Sequence, residues 1–400
     1  MGYLGYKPAD KPLTSADITD SIITSAKIAD GTIVNADINA SAAIASTKLS
    51  GITSPAAFRN LIINGDMQVA QRSTSLSSIT TGGYKTLDRY YLGLTTLGTW
   101  TQSQSTDVPS GYGFANSLKM DNTTADASPA AGDLCFITQI IEGQNLQYLK
   151  KGTANASSLT VSFWVKSTKT GTFIVELYDY INNRSISKSY TVSASNTWEF
   201  KTVTFAGDTT GTITNSNVAG IELNFWLGAG SNYTSGSLQT SWGSYTAANR
   251  AVGQVNCADS TSNDFLITGI QLEAGTTATD FEFLPYDVDL ARCQRYYQKT
   301  TTGIYRFMGQ WQGMHWSGSS HLGAWGVPTE LRTDATVGYA GNFAVFGGGG
   351  VGSGYTPSGG SKQSYGYVQI SMNGTQRASS QVLGIYSDSS DTFVSFDAEL

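Results

Sequence analysis

The sequence predicts an all-β protein in three parts: an extended N-terminal repeat or shaft segment over residues 1–55, a middle β-sandwich (jelly roll) over 56–290, and a small C-terminal β domain over 291–400. Three observations lead there. An aliphatic residue recurs every five positions near the start, at Leu13, Ile18, Ile23, Ile28, Ile33 and Ile38. From Arg59 to about Asp289, short alternating stretches are separated by Gly-, Ser-, Thr- and Asn-rich turns, the pattern of many short strands. Charged residues make up 14% of the 400, against roughly 25% in ordinary soluble domains, so hydroxyls and amides supply the polar surface.

The opening repeat reads as ten-residue units: Leu13 to Ile18, Ile23 to Ile28, Ile33 to Ile38 and, after a one-residue slip, Ile44 to Leu49. A step of five passes well beyond one helical turn, and in a strand an odd step flips the side chain to the other face. Neither geometry keeps the aliphatics together, so each unit needs a bend, as in a coil or wrapped fibre; a helix with Ala-rich turns is the alternative. So few stacked units cannot bury their own apolar row. Another copy of the same chain is the expected partner.

The formal charge is −6 with a pI near 5.0, and no run of Lys or Arg occurs, which disfavours nucleic acid and anionic membrane as partners. Cys135, Cys257 and Cys293 are an odd number with no CxxC or Cys/His spacing, against a disulfide framework and a zinc site. No stretch approaches the ~18 apolar residues that would span a bilayer, so no membrane insertion is expected. The start shows neither a signal-peptide apolar region nor an acylation motif. An extracellular-style composition without an export signal suits a virion component, made in the host cytoplasm and acting at the host outer surface.

Alternation sorts side chains within three clear strands, Leu159 to Lys166, Phe173 to Tyr180 and Ile221 to Leu227. The aliphatics share one phase, while Trp164 falls with Thr160, Ser162 and Lys166, Tyr178 with Glu176, and Trp226 with Glu222 and Asn224. An aromatic ring among amides and carboxylates is what a sugar site requires: the ring covers the C–H face of a pyranose while polar neighbours bond its hydroxyls. The alternative is that a loop, another domain or another subunit covers these rings. A polar, helix-compatible connector follows from Asp287 to Lys299, and beyond it lies a Gly- and aromatic-rich segment containing a Gly347 to Gly350 run.

Asn60-Leu61-Ile62-Ile63-Asn64-Gly65-Asp66-Met67-Gln68-Val69-Ala70-Gln71-Arg72, followed by Leu87-Asp88-Arg89-Tyr90-Tyr91, resembles the opening of the carbohydrate-binding-like jelly roll of bacteriophage tail fibre proteins. Phe265 to Gly275, Phe281 to Tyr286 and Cys293-Gln294-Arg295-Tyr296-Tyr297 resemble the exit motif of that family in order and spacing. The resemblance extends to the N-terminal repeat and to Asp397-Ala398-Glu399-Leu400. It implies a homotrimeric fibre in the virion: residues 1–50 dock on tail or adaptor proteins, and the C-terminal part faces a host cell-surface glycan or protein receptor. Related jelly rolls often hold a structural calcium ion near the first and last strands, which here points to Asp66 and Glu273; oxygen ligands suit that cation. No other cofactor is implied.

An enzymatic reading needs two carboxyl groups facing one glycosidic bond across about 5 to 10 Å. Glu176, Glu222, Asp264 and Glu282 are available, yet none sits in a recognisable motif, and Gly-x-Ser-x-Gly, HExxH and P-loop patterns do not occur. His315 and His321 lie in an aromatic, Gly-rich stretch suited to a binding surface or to packing about a trimer axis. The expectation is therefore a non-enzymatic adhesin fibre with no catalytic residues. Its candidate ligand-binding residues are Trp311, Trp316, Trp325 and Tyr339 near the tip, and Trp164, Tyr178, Trp226, Glu222 and Asn224 in the sandwich. The rival readings are a tailspike-type glycosidase (depolymerase) acting on host polysaccharide and a structural virion linker that binds no cell.

Overall fold

The computed structural model describes residues 58–301, 312–317, 320–341, 343–347, 350–363, 367–373, 382–387 and 393–400, with Thr24, Ile28, Ile33, Asp37 and Ile38 before them; for 312–326 and 343–387 the description is of backbone. Contacts divide the chain into two units, Met1–Ala57 and Phe58–Leu400. In the first unit the rungs Ile28, Ile33 and Ile38 are 39, 55 and 41% exposed. The other rungs lie outside the described residues.

The sandwich strands of the second unit are β1 (Ser75–Tyr84), β2 (Tyr91–Ser105), β3 (Ser117–Thr124), β4 (Leu134–Glu142), β5 (Leu159–Ser167), β6 (Gly171–Asp179), β7 (Arg184–Val192), β8 (Glu199–Phe205), β9 (Ala219–Ala229), β10 (Gly243–Ser244) and β11 (Asp264–Ala274). All pair antiparallel, in the order β10-β7-β6-β9-β4-β2-β3-β11-β5-β8, with β1 alongside β2. Strand β2 belongs to both layers. Its first half, from Tyr91, pairs with β4 and its second half, from Thr99, with β3. Between them Thr96 (φ 48°) and Gly98 (φ 73°) take left-handed backbone, and the register shifts. That bend folds the long ladder into two facing layers. A Cβ on Gly98 would lie 2.7 Å from the Thr124 carbonyl oxygen, so the bend needs glycine for space as well as for φ.

The core lies between the layers. Leu159, Val161, Phe163 and Val165 of β5 face Phe173, Val175 and Leu177 of β6 and Ile221, Leu223, Phe225 and Leu227 of β9, all buried in one cluster. Phe163 packs edge-on against both Tyr190 and Phe225 with ring centroids 5.0 Å apart, and Phe173 lies 5.7 Å from Phe265. The alternation expected in these three strands therefore puts the aliphatic phase inside. Burying a Phe- or Leu-sized side chain in this way contributes about 1.5–3 kcal/mol. Cys135, Cys257 and Cys293 are free and buried, and desolvation raises their thiol pKa values.

A short helix α1 (Ser231–Thr234) belongs to the 230–256 segment, which crosses the outer face of β6 and β9 and buries Trp226, Ile174 and Ala251 in a second small cluster. Helix α2 (Tyr286–Gln294) fills the expected connector, with Asp287 and Asp289 in its first turn and Arg292 in its last, the favourable sense for the helix dipole. After it come β12 (Tyr297–Thr301), β13 (Gln312–Ser317), β14 (Ser320–Gly326), β15 (Thr336–Ala340), β16 (Phe343–Gly347), β17 (Gly350–Gln363), β18 (Tyr367–Asn373), β19 (Val382–Ser387) and β20 (Phe393–Asp397). Strands β12, β20 and β15 form a three-stranded sheet, and β13-β14-β18-β17-β16-β19 close into a barrel. The boundary expected at 290 does not separate compact bodies. Glu399 forms ion pairs with Arg72 (3.4 Å) and with Arg89, and Asp397 pairs with Arg72 at 3.1 Å, so the last strand is bound into the sandwich.

Candidate functional site

The outer face of β6, β9, β4 and β2 carries a grid of outward side chains fixed by register. One row runs Tyr178–Glu222–Ile140 and the next Glu176–Asn224–Thr138–Tyr91, while Trp226 sits opposite Phe136. The 230–256 segment covers the Trp226 side of this grid and leaves the rest open. The opening is a cleft of about 430 Å³ lined by Tyr91, Phe136, Thr138, Ile140, Tyr178, Tyr180, Glu222, Tyr245, Arg250 and Leu400. Gly93 makes the floor possible: a Cβ there would lie 2.3 Å from the Phe136 ring.

Beneath the cleft Glu176 is wholly buried and fully engaged. Arg250 grips it at both oxygens, Nε to Oε1 and Nη2 to Oε2, each at 2.8 Å, and Trp226 Nε1 donates to Oε2 at 3.1 Å. Asn224 Nδ2 donates to Glu176 at 3.2 Å and to Glu222 at 3.4 Å. Glu222 has no salt bridge among the described residues. Burial, more than the neighbouring charge of Glu176, pushes its carboxyl up to about 7, against the opposing pull of Asn224 and Arg250. Two further polar atoms in this grid, Thr138 Oγ1 and Asn224 Oδ1, are buried without a hydrogen-bond partner in the described protein. Above them Tyr178 meets Tyr180 and Tyr245 edge-on, with centroids 5.2 and 5.3 Å apart. Aromatic walls over unsatisfied oxygens can accept a ligand that has both C–H faces and hydrogen-bond donors.

A second concavity, about 480 Å³, lies on the outer face of β5 and β11. Tyr112, Trp164 and Phe200 line it, with Phe114, Phe281 and Phe283 opposite. Tyr112 and Trp164 stand 4.2 Å apart between centroids, and Trp164 and Phe200 5.4 Å. Gly269 (φ 62°) shapes its floor, because a Cβ there would lie 2.6 Å from the Phe114 ring. This hollow is more apolar than the first.

The structure sorts the residues singled out in the sequence. Tyr178 and Glu222 line the first cleft and Trp164 the second, while Asn224 is buried in the grid beneath. Trp226 is corrected: it has no exposed surface, because Phe136, Tyr233 and Arg250 pack over it, and it orients Glu176 instead. Tyr339 is exposed on β15, in the small sheet, whereas Trp316 and Trp325 are on barrel strands β13 and β14, so these aromatics, expected to form one surface, do not share one sheet. Trp311 lies outside the described residues, as do the side chains of Trp316 and Trp325.

The calcium expectation named two carboxylates that meet different neighbours. Glu273 accepts from Thr279 N and Oγ1 (both 2.8 Å) and from Gln271 (2.9 Å), with Arg59 at 3.7 Å. Asp66 accepts from Gln68, and its charge helps raise the buried Asp289. Among the described residues no three His, Cys, Asp or Glu side chains gather as a metal cage. Of the other carboxylates weighed, Glu282 accepts the backbone N–H groups of Phe58 and Asn60, and Asp264 pairs with Lys119 at 3.4 Å. Sequence reasoning missed Tyr180, Tyr245, Arg250 and Thr138. Tyr180 stands two residues from Tyr178 and could have been found by the same alternation; Tyr245 and Arg250 come from a segment with no periodicity.

No protein-family model and no curated protein matches this sequence. Comparison with solved structures finds similarity to the enzymatically active domain of bacteriophage CBA120 tailspike protein 4, at 16% identity and TM-score 0.28, over 54% of this chain and 21% of that one. A putative sugar binding protein from Bacteroides thetaiotaomicron (11% identity, TM-score 0.29) and TmCBM61 in complex with β-1,4-galactotriose (11%, TM-score 0.25) each match over 54% of this chain and 99% of their own. The chain thus spans about a fifth of the tailspike domain it matches. Superpositions this loose identify neither a family nor a ligand.

Proposed function

We propose that the protein binds glycans through the Tyr178–Glu222 cleft and does so as part of a trimeric virion fibre that adheres to host cells. One observation carries the first part: tyrosine rings line a cleft floored by Glu222 and by Thr138, whose buried Oγ1 has no hydrogen-bond partner among the described residues. Buried polar atoms are costly unless bonded, at about 1–3 kcal/mol each, and a sugar hydroxyl repays that cost. A pyranose presents C–H groups to Tyr178 and Tyr180 and hydroxyls to the floor. The second hollow, around Trp164, offers rings but fewer polar groups, so the cleft is the principal site and the hollow an auxiliary one.

The fibre part of the proposal rests on the motif resemblance and on the exposed rungs Ile28, Ile33 and Ile38, which gain cover when three chains wrap together. Three cleft copies on one stalk convert weak single contacts into avidity, because each engagement after the first is intramolecular. The location in the virion and the docking of residues 1–50 on tail proteins belong to this proposal.

The test is glycan binding by the intact protein, read by array and by calorimetry. Tyr178→Ala should weaken the best ligand at least tenfold while leaving the melting temperature within a few degrees. A variant that binds as well as the parent would rule out the cleft.

A further inference from the structure

We propose that the cleft is selective for glycans carrying a protonated amino group, seated between the Tyr178 and Tyr180 rings and the Glu222 carboxylate. The inference rests on the glycan reading and names the ligand class for that same cleft. Three charged side chains meet there. Arg250 is spent on Glu176, with two 2.8 Å bonds to its carboxylate. Glu222 is left over, 8% exposed, with a single long hydrogen bond from Asn224 and no cation paired to it among the described residues. When Glu222 is ionised, the trio carries one net negative charge at the base of an aromatic box.

The rings reinforce that charge. Tyr178 meets both Tyr180 and Tyr245 edge to face, and the π faces of such rings attract cations. The same ring group already carries one cation: the Arg250 guanidinium lies 5.2 Å from the Tyr245 ring and 5.8 Å from that of Tyr178. A neutral sugar gives Glu222 only a hydroxyl donor and supplies no charge to offset the burial that raises its carboxyl. An ammonium donates hydrogen bonds and compensates the charge at once, and pulls Glu222 back to the ionised form. An N-acetylated sugar has no such charge and places a bulkier group against Glu222.

The experiment is calorimetry on the full chain at pH 7.5 with trimers of glucosamine and of galactosamine, their N-acetylated counterparts, and neutral hexose oligosaccharides. At least one free-amine trimer is expected to bind tenfold or more tightly than its acetylated form. Glu222→Gln, which keeps shape and removes charge, should bring the two within about twofold, with its melting temperature no lower than the parent's. Equal binding of amine and acetylated forms, or a preference that survives Glu222→Gln, overturns the ammonium assignment. If only neutral oligosaccharides bind and Tyr178→Ala abolishes that binding, the ammonium assignment fails while the glycan reading stands. If no glycan binds at all, both fail.

Discussion

Arg89 is wholly buried, and two of its three guanidinium nitrogens are bonded: Glu399 pairs with Nη1, the Ile140 carbonyl accepts from Nη2 at 2.6 Å, and the Tyr296 ring stacks on the group at 3.4 Å, while Nε has no hydrogen-bond partner among the described residues. Removing one member of such a pair leaves an uncompensated buried charge. Arg89→Met should therefore cost about 3–5 kcal/mol in urea denaturation, and Arg89→Met with Glu399→Leu should recover much of that loss. Glu222 shows the reverse economy. Its carboxyl is raised from 4.5 to about 7, mainly by burial, so the folded state holds a proton that the unfolded chain has released between those values. Stability accordingly falls as pH rises through that window and the penalty is complete above it, at most about 3 kcal/mol. Glu222→Gln should raise the melting temperature at pH 8 and leave it unchanged at pH 4.5. Failure of that crossover would mean that Glu222 is more hydrated than its surroundings indicate. Asp88, pushed up to about 6 by burial although Gln71 donates to it, adds to the same slope.

At the scale of elements, the strands that could be read in the sequence are those with strict alternation. Leu159 to Lys166, Phe173 to Tyr180 and Ile221 to Leu227 fall within β5, β6 and β9 to within a residue or two, because one face is core and the period of two survives. Alternation puts Trp226 on the correct phase, but its burial depends on the 230–256 segment, whose Gly, Ser and Asn carry no periodic signal. Tyr245 and Arg250, the two cleft residues on that segment, are hidden for the same reason. The barrel strands were equally opaque: β17 reads Gly-Val-Gly-Ser-Gly-Tyr-Thr-Pro-Ser-Gly-Gly-Ser-Lys-Gln, with no apolar alternation. Two asparagines of the Asn60 to Arg72 stretch act as staples: Asn60 Oδ1 accepts from Ile62 N and Leu272 N, and Asn64 Nδ2 donates to the Val69 and Asp88 carbonyls, which ties that stretch to the sandwich. One element-level prediction concerns Gly93. Gly93→Ala must push the Phe136 ring out of its place, costing about 1–3 kcal/mol, and should weaken ligand binding in the same protein, both read from one thermal titration series.

At the scale of the whole molecule, the described isoleucines of Met1–Ala57 are exposed, which is unfavourable for an isolated chain in water. Sedimentation should find the intact protein as a trimer. Ile28→Asp with Ile33→Asp should shift it to monomer and reduce adsorption to cells far more than it reduces single-site glycan affinity. A parent protein that sediments as a monomer would remove the stalk and leave the cleft untouched. The path of the chain beyond residue 296 has a different outcome for inheritance. It runs from β12 to barrel strands β13 and β14, back to β15, out again through β16 to β19, and home to β20, so barrel and small sheet are threaded through one another. A genetic exchange of the barrel alone would need two separate inserts spliced around β15. A single crossover ahead of β12 would import barrel and sheet together, along with a foreign match for Arg72 and Arg89, so sequences that exchange this region should carry those arginines and their Asp397 and Glu399 partners as a set.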